Sequence, residues 1–105
     1  MTEYNLEKLF YDLLKKKNID KEISYTSTLL TNKNVLAKKI GEETIEVILE
    51  YLDNNKDKII QESADLLYHL IVMWISSNVN PSEVWEELQK RKGISGFEEK
   101  KSRTN

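Results

Sequence analysis

The sequence predicts an all-α fold, a four-helix-type bundle assembled as a homodimer. Three observations predict it. Apolar residues recur at spacings of three and four, the period of a helix with one buried face. Hydrophobic residues at 39%, charged residues at 32%, 3 Gly and 1 Pro describe a helical globular chain rather than a disordered or disulfide-stapled one. Finally, Asn80-Pro81-Ser82-Glu83 is a helix start, with Asn80 as N-cap, Pro81 at the first helical position and Glu83 three residues after the cap.

The elements follow in order. Leu6, Leu9, Phe10, Leu13 and Leu14 share one stripe of a first helix, which Thr2 is expected to cap and Asn18 and Asp20 to end. Residues 22–34 are rich in Ser, Thr and Asn and read as a loop with a single helical turn near Thr28 and Leu30. A second helix is expected over residues 35–52, closed by Asp53-Asn54-Asn55, and a third over residues 56–77. The fourth runs from the Asn80 cap to Lys92, where Gly93 is suited to the left-handed C-terminal conformation, with Val84, Trp85 and Leu88 as its core residues. Residues 1–92 form one domain, and residues 93–105 form a polar, mobile tail that Ile94 and Phe97 are placed to tack down.

Composition removes several classes of function. The absence of cysteine excludes disulfides, thiolate nucleophiles and cysteine-ligated zinc, and it suits a reducing cytoplasm. The longest apolar run, residues 70–75, is far short of the ~20 residues a bilayer span requires. Glu3, Glu7 and Asp12 break any signal-peptide or anchor pattern. A net charge of −2 argues against a nucleic-acid partner but leaves room for a local pocket that takes one phosphorylated small molecule.

Acidic residues inside apolar helices carry the chemistry. At 100° per residue, Glu43, Glu46 and Glu50 fall with Lys39 in one arc of the second helix, while Glu42 points elsewhere. Leu36, Ile40, Val47, Ile48, Leu49 and Tyr51 cover more than half of its circumference. A helix that apolar needs partners on two faces, hence the expected dimer. The third helix is apolar all round over residues 64–75, yet it contains Asp65 and His69 on one face with Glu62. A buried carboxylate without a partner costs several kcal/mol, so Asp65 requires a cation, hydrogen bonds or a metal. Either E-x-x-E or E-x-x-D alone is most often a solvated face or part of an i, i+4 ion pair such as Lys39 with Glu43. Two such pairs facing each other make a cluster that stays ionised only around divalent cations. Four oxygen donors select hard ions, Mg²⁺ first and Mn²⁺ as its substitute.

These segments resemble a known family. SYTSTLL at residues 24–30, KKIGEE at 38–43 and ADLLYHL at 64–70, with RKGISGFEEKKSR at 91–103, are similar to the phosphoribosyl-ATP pyrophosphatase family of histidine biosynthesis. That family belongs to the all-α nucleotide pyrophosphohydrolases, whose E-x-x-E and E-x-x-D pattern matches Glu43, Glu46, Glu62 and Asp65. The resemblance implies Mg²⁺-dependent hydrolysis of 1-(5-phosphoribosyl)-ATP to 1-(5-phosphoribosyl)-AMP and pyrophosphate by a dimer or larger assembly. In many organisms the domain is fused to a zinc cyclohydrolase. With no cysteine and 1 His, this sequence lacks the residues for that second activity. Gln61 stands where an acidic residue commonly precedes the motif glutamate, and Asn32 and Asn34 replace the usual Gly or Asp of the loop.

Roles follow from that resemblance. Glu43, Glu46, Glu62 and Asp65 are the metal-binding set, and Glu43 or Glu46 orients or deprotonates the water that attacks the α-phosphorus. Lys39 is the candidate phosphate contact, with a salt bridge as its plain alternative. Tyr25 and Ser24 are candidates for ribose or phosphate contacts. Arg91 and the Lys100-Lys101-Arg103 cluster are candidates to close over a polyanionic substrate. His69 is expected to support the site by bonding to the Asp65 carboxylate rather than to the metal. Two other readings share these residues. One is a housecleaning nucleoside triphosphate pyrophosphohydrolase, and the other is a non-catalytic helical dimerisation module with its acidic stripes on the surface.

Overall fold

The computed structural model describes residues 3–18 and 24–93, and every described segment of regular structure is helical. Helix α1, Leu6–Leu14, continues into a 3-10 turn, Lys15–Asn18. It is followed by α2, Tyr25–Leu30; α3, Lys33–Leu52; α4, Lys56–Ser76; and α5, Pro81–Lys90. The all-α class is as expected, with one more helix than the sequence suggests.

Asn5, in an extended backbone conformation, caps α1: its side-chain oxygen accepts from the Lys8 N–H, and Thr2, the expected cap, lies outside the described residues. Asp20, expected to help end that helix, also lies outside them. Helix α2 occupies the stretch read as a loop. Ser24 caps it by accepting from Ser27 N–H, and its inward residues Thr26, Ser27 and Leu29 are buried. Asn32, Asn55 and Asn80 cap the remaining helices in the same way, Asn80 within a full capping box.

Helices α3 and α4 form a hairpin. Asn54 turns the chain at φ 55°, and the Asn55 N–H bonds back to Glu50 O, closing α3 with a left-handed residue where asparagine replaces the usual glycine. Asn78 does the same for α4 at φ 59°, with the Val79 N–H on Trp74 O. The core joins Phe10 and Leu13 of α1, Leu29 of α2, Leu36 of α3 and Ile71, Val72 and Ile75 of α4. Helix α5 is held by the Trp74–Trp85 edge contact and by Trp85 Nε1, which donates to Glu7 of α1. Leu88, expected in the core, is 56% exposed, because α5 covers α1 with its other face. Residues 94–105, including Ile94, Phe97 and the basic Lys100-Lys101-Arg103 cluster, lie outside the described residues.

Candidate active site

The α3–α4 hairpin brings the two acidic motifs face to face. One oxygen from each of Glu43, Glu62 and Asp65 lies within 4.8 Å of the others. Glu46, one turn beyond Glu43, acts on both glutamates of that trio. Three of the four residues predicted from spacing therefore converge, with Glu46 beside them; Asp65, expected to be buried, is exposed because α4 is open to solvent there, and Glu50 and Glu42 do not join them.

The cluster is electrostatically unsatisfied. Glu43 Oε2 and Glu62 Oε2 are buried and have no hydrogen-bond partner, an arrangement expensive enough to require compensation. A proton supplies part of it: Glu62 is pushed up to about 7, first by the hydrogen bond to Glu46 that a protonated Glu62 makes, then by desolvation and the charges of Glu46, Asp65 and Glu43. Desolvation is the largest cause raising Glu43, followed by Glu46 and Asp65, while His69 acts in the opposite direction. Carboxylate oxygens that repel one another, with lone pairs unspent, are the donor set of a hard divalent cation.

His69 is 6% exposed and bridges two helices. Its Nδ1 lies 2.8 Å from the main-chain oxygen of Asp65, not from the carboxylate as the sequence suggested. Side chains on a helix lean toward its N-terminus, so a ring at i+4 meets the carbonyl of residue i while that residue's own side chain leans further back. The other ring nitrogen, Nε2, is 3.0 Å from the Tyr25 hydroxyl of α2. Tyr25 stacks on Tyr68 with centroids 6.2 Å apart and an interplanar angle of 11°. Tyr68 in turn shares a hydrogen bond with Thr26, and burial pushes its phenol above the ordinary range. Sequence reasoning did not single out Tyr68; its place one residue before His69 on a helix apolar all round was the available signal.

The other candidates are placed as follows. Lys39 pairs with Glu42 at 3.9 Å rather than with Glu43, and both side chains are exposed. Ser24 spends its side chain on the α2 cap. Arg91 is the C-cap residue of α5, with its Nε 3.2 Å from Glu87 Oε2.

The chain is also similar to known proteins. Residues 6–92 match the family described as phosphoribosyl-ATP pyrophosphohydrolase. The chain is 43% identical to the phosphoribosyl-ATP pyrophosphatase of Paramagnetospirillum magneticum, over 93% of this chain and 91% of the relative. It is 40% identical to the phosphoribosyl-ATP pyrophosphatase of Gluconobacter oxydans, over 96% of this chain and 77% of the relative. It is also 37% identical to the histidine biosynthesis bifunctional protein HisIE of Wolinella succinogenes, over 93% of this chain but 43% of that protein.

Proposed function

The chain belongs to the phosphoribosyl-ATP pyrophosphohydrolase family, and on that premise we propose that it hydrolyses 1-(5-phosphoribosyl)-ATP to 1-(5-phosphoribosyl)-AMP and pyrophosphate in histidine biosynthesis. The observation that carries this reading is the convergence of Glu43, Glu62 and Asp65, with two buried oxygens left unpartnered. Glu43, Glu62 and Asp65 hold Mg²⁺, with Glu46 as the fourth carboxylate and Mn²⁺ as the substitute ion. When bound, the ion neutralises the phosphate oxygens and stabilises the leaving pyrophosphate.

The chain's own groups do the rest. Glu46 is exposed and stands beside the trio rather than inside it, so it is better placed than Glu43 to orient the attacking water and take its proton. Lys39 is held by Glu42 at the edge of the motif helix, in reach of phosphate by exchanging one exposed anion for another. Ser24 and Tyr25 open α2 on the site side, and His69 holds Tyr25 to α4. Arg91 contributes from the last helix in the assembled enzyme. No helix among the described residues is long and apolar enough to cross a membrane, and the reaction belongs to the cytoplasm.

The test is pyrophosphate release from phosphoribosyl-ATP, with ATP and dUTP beside it, each with Mg²⁺ and with a chelator. Mg²⁺-dependent release from phosphoribosyl-ATP alone is expected. Release from ATP or dUTP instead would move the chain to the housecleaning branch, and no release from any would return the carboxylates to an ordinary surface.

A further inference from the structure

The carboxylates cannot tell phosphoribosyl-ATP from ATP. Both molecules bring the same triphosphate to the metal, so a preference between them has to be read at the adenine, where they differ. A carbon substituent on N1 turns the N1–C6–N6 unit of that ring into an amidinium, a delocalised cation at neutral pH. The adenine of ATP, unsubstituted at N1, is neutral there. The ring charge and the added phosphoribosyl group are the two marks available for recognition.

Tyr25 offers a surface suited to the first mark. Its ring lies nearly parallel to Tyr68, and its hydroxyl edge meets His69, whose ring stands at 83° to it. Contacts on one face and one edge leave the opposite face open, and the residue is 53% exposed. The platform is fixed from behind, since Tyr68 bonds to the buried Thr26 and meets His69 edge-on at 5.1 Å. These ring contacts hold whichever nitrogen of His69 carries the proton. His69 also bonds to the main chain of Asp65, a member of the carboxylate trio. One imidazole therefore separates Tyr25 from the acidic stretch of α4, as one ribose separates an adenine from its α-phosphorus.

We propose that the open face of Tyr25 stacks on the N1-substituted adenine of the substrate, and that the positive charge of that ring is what the stacked tyrosines select. This rests on the pyrophosphohydrolase reading of the carboxylates. The face of a phenol ring is the negative end of its quadrupole, so a cationic ring gains there over a neutral ring of the same shape. The aromatic ring makes this contact, not the hydroxyl, which is engaged with His69. Tyr25 is then a specificity-determining residue, and Tyr68 the positioning residue behind it.

The experiment titrates wild type, Tyr25→Phe and Tyr25→Leu with N1-methyl-AMP and N6-methyl-AMP, with Mg²⁺ present and at neutral pH. The two probes are isomers, the first with a cationic ring and the second with a neutral one. Wild type is expected to bind the N1 isomer on the order of tenfold more tightly, between the scales for an exposed and a desolvated cation on an aromatic face. Tyr25→Phe should keep that ratio because it keeps the ring, and Tyr25→Leu should bring it close to one. A general loosening of α2 weakens both isomers alike and leaves the ratio unmoved. Failure of wild type to distinguish the isomers, a ratio that survives in Tyr25→Leu, or one that disappears in Tyr25→Phe would each overturn the contact. If Tyr25→Leu does not fold, nuclear Overhauser transfer between the N1-methyl protons and the Tyr25 ring in wild type decides: its presence supports the stack and its absence overturns it. Neither isomer has a phosphoanhydride to cleave, so binding and catalysis are read apart. Preference for the N1 isomer without pyrophosphate release from phosphoribosyl-ATP keeps the base contact and removes the hydrolase reading, whereas release with equal binding of the isomers does the reverse.

Discussion

Glu62 keeps part of its proton near neutral pH, where an ordinary glutamate has released it. Its folded value of about 7 lies above the unfolded 4.5, so between those values the metal-free folded state binds more protons than the unfolded chain. Its contribution is therefore most favourable below about pH 4.5, is lost as pH rises, and is fully lost above about 7, with Glu43 acting in the same direction. Glu62→Gln removes this titration. Metal-free wild type should accordingly melt progressively lower from pH 5 to pH 8, with a shallower decline in the variant; equal slopes would mean the carboxylates do not crowd one another. Mg²⁺ should reverse the trend, because it replaces the proton and stabilises the fold by mass action, more strongly as pH rises. The same substitution should leave the fold intact and lower turnover by at least roughly a hundredfold, the scale at which even the outer partners of metal ligands register. Near-wild-type turnover would remove Glu62 from the metal set.

Among the elements, α2 tests what the sequence can and cannot disclose. Its residues are four Ser, Thr or Tyr and two Leu, a composition that favours caps and turns over helix interiors, and six residues are too few to be helical alone. It forms because the bundle supplies partners. Leu29 is 1% exposed in the core, the Ser27 hydroxyl donates to Lys16 O at 2.6 Å, and Thr26 bonds to Tyr68. Leu29→Ala should then cost about 3 kcal/mol, read as a lower urea midpoint with an unchanged slope; a loss near zero would mean α2 is merely laid on the surface. The long helices were legible because their information is local. The 3.6-residue period placed Glu43 with Glu46 and Glu62 with Asp65, but the apolar run around Asp65 overstated its burial, since α4 leaves that carboxylate exposed. What periodicity does not carry is which atom a side chain meets: it put His69 on the Asp65 face without separating carboxylate from carbonyl, and it paired Lys39 with Glu43 where the structure pairs it with Glu42. Nor does it reveal a contact between distant segments, such as Tyr25 with His69.

At the scale of the whole molecule, the motif helices are only half covered. Ile45, Ile48, Leu49, Tyr51 and Leu52 of α3 and Ile60 of α4 are each between 49% and 68% exposed, at the hairpin end where both acidic motifs also lie. Fully burying one such aliphatic side chain contributes roughly 1.5–3 kcal/mol, so a contiguous set left in water is a strong drive to association. We propose that a second copy covers this face, as the width of the apolar arc suggests. The carboxylates then lie at the margin of an interface, where the partner shields them from water and raises the cost of leaving them without a cation. Wild type should sediment as a dimer at micromolar concentration and melt higher as concentration increases. Leu49→Glu with Leu52→Glu, which places like charges against each other across the seam, should sediment as a monomer, lose the concentration dependence of its melting and bind Mg²⁺ more weakly. A double variant that is monomeric yet keeps wild-type Mg²⁺ affinity would show that each hairpin builds its metal site unaided, and that the apolar face serves assembly alone.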